Sequence, residues 1–252
     1  MNPSIAVNHL YCGWGDRSIL EDVSFSIEKG EVVTILGGSG CGKSTLLKHL
    51  IGLYPPRSGS IQIVGNELVG SNYKDREAIL RKIGVMYQSG ALFGSMSILD
   101  NITLPLSSFS ELDAIAIDTL ARLKLRLVGL EEFADFFPSE LSGGMQKRAA
   151  IARAMALDPQ ILFLDEPSAG LDPITSAELD QLIRRLAETQ GVTIVVVTHE
   201  LASIAAIADR AIMLDKTIKG IVAIDTPAAL AQSSDRRVSS FFNAQRPLRV
   251  EG

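Results

Sequence analysis

The chain has 252 residues, long for one compact domain and short for two large ones, and is 46% hydrophobic, 21% charged and 6% aromatic, as in globular α/β proteins. Its formal charge of −5 argues against a surface built to wrap nucleic acid. No run approaches the ~18 uninterrupted apolar residues of a spanning helix, so membrane association is expected only through partners.

The start, Met1-Asn2-Pro3-Ser4, lacks the basic-then-apolar pattern of a secretory signal. Cys12 and Cys41 have no metal-ligand spacing and are read as reduced thiols of a cytosolic protein. Val23–Ile27 alternates as a strand and ends at a Glu28-Lys29-Gly30 turn. Glu31–Leu36 is an apolar, β-branched run that predicts a buried strand. It leads into Gly37-Gly38-Ser39-Gly40-Cys41-Gly42-Lys43-Ser44-Thr45, which matches G-x-x-x-x-G-K-[ST]. A helix over Leu46–Leu53 should follow, ended by Pro55-Pro56. Strand, loop and helix together are the context this phosphate loop requires. Glycines let backbone N–H groups turn inward around phosphate oxygens, and the helix start adds its positive end. Lys43 supplies charge to the β- and γ-phosphates, Ser44 a hydroxyl to Mg²⁺, and Thr45 a reach to the α-phosphate.

Ser60–Val64 alternates again before a Gly65-Asn66 turn, and Val85-Met86 closes a short β-like run before Tyr87-Gln88. From about Leu92 to Ala156 helical periodicity dominates, with segments near Leu112–Leu125 and Gly144–Ala156. Leu141-Ser142-Gly143-Gly144-Met145-Gln146 opens the second. A serine, two glycines and a helix start make another anion cradle, though Ser142 also suits a plain N-cap. Ile161–Leu164 and Thr193–Val197 read as buried parallel strands joined by a crossover helix over Thr175–Glu188. The first ends in Asp165-Glu166, two carboxylates where α/β sheets bind ligands. There Asp165 would orient Mg²⁺ through its water shell and Glu166 would polarise the attacking water. Leu201–Leu214 is apolar but broken by Ser203, Asp209 and Arg210. The tail after about Ser233 is polar and holds Arg236, Arg237, Phe241, Phe242, Arg246 and Arg249; it is expected to pack on a partner or stay loosely ordered.

With the phosphate loop, the Leu141–Gln146 signature and Asp165-Glu166 in this order, the chain resembles an ATP-binding-cassette (ABC) nucleotide-binding domain over nearly its full length. The resemblance implies an α/β fold, a P-loop NTPase (RecA-like) core with an antiparallel β subdomain and an inserted α-helical subdomain. Residues 1–91 and 157–232 would form the core with its β subdomain, 92–156 the helical signature subdomain, and 233–252 a C-terminal tail. It also implies that Ser142, Gly143 and Gly144 bind the γ-phosphate of ATP held by a second copy, so that catalysis needs a homodimer. Gln88 would sense Mg²⁺ and link the site to a transmembrane partner, and His199 would contact the γ-phosphate. Asp172, in Gly170-Leu171-Asp172-Pro173, would lie at the dimer seam. Trp14 would stack on adenine, with Tyr11 as the alternative.

Gln88-Ser89-Gly90-Ala91-Leu92-Phe93 with Asp100-Asn101-Ile102, Met145 in the signature, Leu171–Ser176 and the D-x-R-V-x-x-F tail resemble the Mla-like ATPases of MCE-type lipid transporters. That implies phospholipid cargo moved between inner and outer membranes, and a place on the cytoplasmic face of the inner membrane. It also implies permease subunits contacted through Gln88 and Leu92–Ile102, an MCE-type periplasmic protein and a small cytosolic regulatory subunit. A small-solute importer or lipoprotein-releasing exporter keeps the same ATPase with other cargo. Chromosome-maintenance ATPases of the superfamily carry a long coiled coil, and no sustained heptads separate Lys43 from Ser142. Translation-associated relatives carry two cassettes, where this chain has one phosphate loop and one signature.

Overall fold

The computed structural model describes residues 2–15 and 17–244. In chain order come β1 (Ile5–Trp14), β2 (Arg17–Ile27), β3 (Val32–Leu36), α1 (Lys43–Leu50), β4 (Ser58–Ile63), β5 (Asn66–Glu67), α2 (Tyr73–Leu80) and β6 (Ile83–Met86). Then follow α3 (Ile98–Phe109), α4 (Ala114–Leu127), α5 (Gly143–Ala154), β7 (Ile161–Asp165), α6 (Pro173–Gln190) and β8 (Thr193–Val197). The last elements are α7 (Leu201–Ile207), β9 (Arg210–Asp215), β10 (Gly220–Asp225), α8 (Pro227–Ala231) and α9 (Arg236–Ala244).

Two sheets result. A six-stranded sheet runs β10-β9-β3-β8-β7-β6, parallel from β9 to β6 with β10 antiparallel at one edge. An antiparallel sheet runs β2-β1-β4-β5. The continuous apolar runs of β7 and β8 arise because both faces of the large sheet are covered. Leu162, Leu164, Ile194 and Val196 enter a core shared with α3–α6. The alternate residues Ile161, Phe163, Val195 and Val197 enter a second core shared with α1 and the antiparallel sheet. Side-chain alternation at period 2 thus divides each strand between two cores.

The strands expected at Glu31–Leu36, Ser60–Val64, Ile161–Leu164 and Thr193–Val197 form with small shifts at their ends, whereas Val23–Ile27 proves to be only the end of a longer strand, β2, that starts at Arg17. The helix expected over Leu46–Leu53 instead starts at Lys43 and stops at Leu50, ahead of the prolines. Gly52 adopts φ +70° and the Leu53 N–H reaches the Lys48 carbonyl at 2.8 Å, a glycine-based closure that ends the helix first. The Gly65-Asn66 turn shifts too: Asn66 already belongs to β5, and the reversal is made at Val64-Gly65.

Leu201–Leu214 divides into α7 and β9 at Asp209. Asp209 accepts hydrogen bonds from the Val32 N–H (2.8 Å) and Arg184 Nη1 (2.8 Å), so the polar break tethers the run to the neighbouring strand and helix. Residues 236–244 of the tail form α9. Val238 is fully buried among Leu36, Ile204, Met213 and Leu230, with Phe241 and Phe242 packed beside it, because an amphipathic helix here covers apolar surface of its own chain. Arg246 and Arg249 lie outside the described residues.

The helical segment is tied to the core by polar as well as apolar contacts. Lys124 on α4 is 3% exposed and pairs with Asp158, which satisfies an ammonium group otherwise costly to bury. Strand β6 meets the end of α5 so closely that a Cβ on Gly84 would lie 2.2 Å from the Ala154 carbonyl oxygen. Gly84→Ala is therefore expected to cost about 1–3 kcal/mol through overpacking. A thermal melt should show it as a fall of about 2–4 °C for each kcal/mol; an unchanged melting temperature would mean the strand and helix can part freely.

Candidate functional site

The parallel register gathers four chain segments at one edge of the sheet. Ile35 of β3 pairs with Val197 of β8, Val197 with Asp165 of β7, and Leu164 with Met86 of β6. The residues just beyond these C-terminal ends are the Gly37–Thr45 loop, Thr198-His199, Asp165-Glu166 and Tyr87-Gln88. A topological edge of this kind is where open α/β sheets bind ligands.

The loop is shaped by packing below and open above. Gly37 has φ +144°, and a Cβ there would meet the Leu214 carbonyl oxygen at 2.3 Å and Cys41 Sγ at 2.7 Å. Gly38 and Gly40 would meet nothing within 4 Å, so the concave side is free. Ser39 and Ser44 are exposed, and Thr45 is partly buried. Gly42, in the left-handed region, N-caps α1 without a side-chain hydrogen bond, so no side chain occupies the first-turn N–H groups. Lys43 Nζ folds back on the loop, donating to the carbonyls of Gly37 (2.7 Å) and Gly38 (3.3 Å). Cys41 is a free, buried thiol, and burial raises its pKa; burial likewise pushes the Cys12 thiol up to about 12.

Burial, and after it the charge of Glu166, hold the Asp165 carboxyl above the usual range. Glu166 sits at φ +47°, a strained backbone for a non-glycine residue. It is held there by its N–H on the Val197 carbonyl (2.8 Å) and by Oε1 on His199 Nδ1 (2.9 Å). Its Oε2 is buried with no hydrogen-bond partner among the described residues. Glu166 and His199 thus form a hydrogen-bonded carboxylate–imidazole pair at the sheet edge beside Asp165.

Gln88 is exposed, and its carbonyl accepts from Lys147 Nζ on α5. Trp14 ends β1 at 39% exposure. Its ring lies 5.9 Å from that of His49 at 27°, and Tyr54 meets it edge-on at 4.5 Å. Lys48 Nζ stands 5.8 Å from the Trp14 centroid, so the indole is braced beside the helix that starts at the phosphate loop. Tyr11 lies on the same strand, register-paired with Ser58.

The signature residues stand apart from this edge. Ser142 N-caps α5, its hydroxyl accepting from the Met145 N–H at 3.3 Å. A Cβ on Gly144 would lie 2.4 Å from Thr175 Cγ2, so this glycine permits α5 and α6 to meet at their N-termini. Asp172 N-caps α6, accepting from the N–H groups of Ile174 (3.0 Å) and Thr175 (3.1 Å). Hydrogen bonding by Thr175 lowers its pKa. Its carboxylate is thus engaged within its own chain. Among the described residues no hydrogen bond links Ser142–Gly144 to the Gly37–Thr45 loop.

The expected partner-facing surface Leu92–Ile102 narrows. Ile98, Leu99, Asn101 and Ile102 lie on the buried face of α3, where Asn101 bonds the Phe93 N–H (2.8 Å) and carbonyl (3.1 Å). Phe93, Gly94, Ser95 and Asp100 remain exposed. Lys147 escaped sequence reading because its partner Gln88 is 59 residues away, and no local spacing signals such a contact.

A buried parallel strand, a glycine phosphate loop opening a helix and an acidic pair at a strand end two places away define a P-loop nucleotide-hydrolysing protein. The ABC transporter family model matches residues 20–169. Over 98% of its length the chain is 42% identical to a probable ribonucleotide transport ATP-binding protein, mkl, of Mycobacterium tuberculosis, covering 68% of that protein. It is 39% identical, over 91% of its length and 84% of the relative, to the intermembrane phospholipid transport system ATP-binding protein MlaF of Escherichia coli. MlaF of Haemophilus influenzae is 37% identical over 96% of this chain and 90% of its own. Among solved structures, cbiO1 of Clostridium perfringens, part of an ABC transporter complex, superposes with TM-score 0.85 at 27% identity, covering 98% of this chain and 97% of that one. The dimeric ATP-binding cassette MJ0796, bound to ADP and Pi after hydrolysis, superposes with TM-score 0.79 at 31% identity, covering 88% and 98%. The chain belongs to the ABC transporter family. It is an ATP-binding, ATP-hydrolysing subunit of such a transporter.

Proposed function

We propose that two copies of this chain close around two ATP molecules and drive phospholipid transport between membranes through an integral-membrane permease. The observation that carries the ATP half is the edge where the loop, Asp165-Glu166, His199 and Gln88 converge, with Glu166 Oε2 left without a partner. Backbone N–H groups of Gly37, Gly38, Ser39, Gly40, Cys41, Gly42 and Lys43, with the side chains of Lys43 and Thr45, would hold the phosphates. Trp14 would stack on adenine. Ser44, Gln88 and Asp165 would hold Mg²⁺. Their mixture of hydroxyl, amide and carboxylate oxygens suits a hard cation that arrives on phosphate. Among the described residues no cluster of three or more His, Cys, Asp or Glu could bind a metal without that phosphate. When bound there, Mg²⁺ would supply positive charge that offsets that of the phosphates.

Glu166 orients and deprotonates the attacking water, and His199 holds its carboxylate and faces the γ-phosphate. Ser142, Gly143 and Gly144 have no partner in their own phosphate loop; they serve the ATP of the second copy, with Asp172 shaping the seam from its capping position. Closure would pass to the permease through Gln88 and the exposed Phe93–Ser95 turn.

Phospholipid cargo is supported by the MlaF relatives and by the Gln88–Phe93 and Asp235–Phe241 segments. With it come an MCE-type periplasmic protein, a small cytosolic regulatory subunit and a place on the cytoplasmic face of the inner membrane. Among the described residues no helix is long and apolar enough to cross a membrane, so permease subunits would anchor the chain. Purification of the complex from native membranes, with identification of partner chains and bound lipid, tests this reading. A permease, an MCE-type protein and bound phospholipid are expected. Recovery with a solute-binding protein and without phospholipid overturns the cargo and leaves the ATPase standing.

A further inference from the structure

The segment that carries Gln88 is strapped onto α5 by two cations. Lys147 Nζ donates to the Gln88 carbonyl, and Arg153 Nη1 donates to the Ala91 carbonyl at 2.6 Å. Between them Gly90, at φ +73°, would put an added Cβ in ordinary contact, 3.4 Å, with the Ala150 methyl, so the strap lies against the helix. Ala91 takes φ +51°, a left-handed conformation that costs a non-glycine residue about 1–3 kcal/mol unless its surroundings impose it. The cations supply that constraint, since both carbonyls they hold would otherwise relax with the backbone.

Lys147 is half-buried, and burial lowers its pKa while the charges of Asp165 and Glu166 favour its ammonium form. One side chain on the signature helix therefore grips the Gln88 backbone within the field of the acidic pair. We propose that Lys147 is a positioning residue for ATP hydrolysis: by fixing the Gln88 backbone on α5 it sets where the Gln88 side chain stands relative to Asp165 and Glu166. The movement of α5 and the placement of Gln88 then become one event. The inference rests on the reading of Gln88 as part of the ATP site. Because Lys147 acts through the Gln88 backbone, its removal should slow turnover without weakening ATP binding.

The test is steady-state ATP hydrolysis by the full-length chain carrying Lys147→Met, Lys147→Arg, Gln88→Ala and Gln88→Ala with Lys147→Met. Lys147→Met should lower kcat about tenfold with KM for ATP within about twofold, the signature of an interaction used in turnover only. Lys147→Arg, which keeps a cation in reach, should recover most of that loss, as a merely space-filling role would not require. Because Lys147 acts through Gln88, adding Lys147→Met to Gln88→Ala should slow the enzyme by no more than about twofold further. Amide exchange at Gln88–Ala91 should rise in Lys147→Met. Unchanged kcat in Lys147→Met, with Gln88→Ala impaired, overturns the role of Lys147 and spares that of Gln88. Full multiplication of the two losses means Lys147 acts by another route and also overturns it. Normal turnover in Gln88→Ala removes both this inference and the reading of Gln88 on which it rests.

Discussion

Glu166→Gln should lower ATP turnover by at least about 100-fold, the lower end of what a positioned general base contributes. The substitution is nearly isosteric, so the backbone held by Val197 and the site's packing should survive. What is lost is the proton acceptor. Glu166 Oε1 is engaged by His199 Nδ1 at 2.9 Å, which leaves Oε2 as the oxygen assigned to take the proton. An amide cannot take the proton, and its NH₂ would present a donor where an acceptor is needed. ATP binding should persist, because the loop and Lys43 are untouched; removing a negative charge beside Asp165 should if anything favour the anionic nucleotide. Phosphate release measures the first effect. Gel filtration with ATP measures the second, where the variant should accumulate as a two-chain complex. Turnover within about tenfold of the parent would remove Glu166 from the role of base.

Lys43→Ala should weaken ATP binding by about 30-fold or more, since truncating one side of a charged, hydrogen-bonded contact costs about 2–5 kcal/mol. The fold should be indifferent. The ammonium contacts only the Gly37 and Gly38 carbonyls, and the glycines that shape the loop are constrained by Leu214, Leu20 and Cys41 instead. With nucleotide present those carbonyls lose a donor to the phosphates, which is the exchange the side chain is placed to make. Titration with a fluorescent ATP analogue reads the affinity, and a thermal melt without nucleotide separates lost binding from lost structure. An unchanged affinity would contradict the phosphate-loop assignment.

These two expectations were legible before any coordinates because their residues act through local backbone. A phosphate loop works by consecutive N–H groups between a strand and a helix, so residues Gly37–Thr45 carry their own geometry. The acidic pair is legible for a related reason: β7 and β8 are buried on both faces, which forces unbroken apolar runs, and the first carboxylates after such a run mark a strand end. Ser142 is marked as a helix cap by the same local logic, whereas the capping role of Asp172 emerged only from the structure.

Other features depended on chain reversals with no local signature. Asp209 breaks an apolar run in sequence, yet in space it ties Val32 to Arg184. Val238 lies in a polar tail, but its helix covers Leu36 and Met213, and only the folded sheet creates that apolar surface. The Leu92–Ile102 stretch looks uniformly available until α3 turns Ile98, Leu99 and Ile102 inward. The Lys147–Gln88 contact joins two helical-subdomain and core segments through a side chain long enough to reach across. Residue type and near-neighbour spacing therefore specify the phosphate loop, the carboxylates and the Ser142 cap, since their chemistry runs through adjacent peptide groups. Tertiary structure decides which apolar faces are spent on the chain's own core and which cations grip distant carbonyls, because those outcomes follow from packing between segments that sequence order keeps apart.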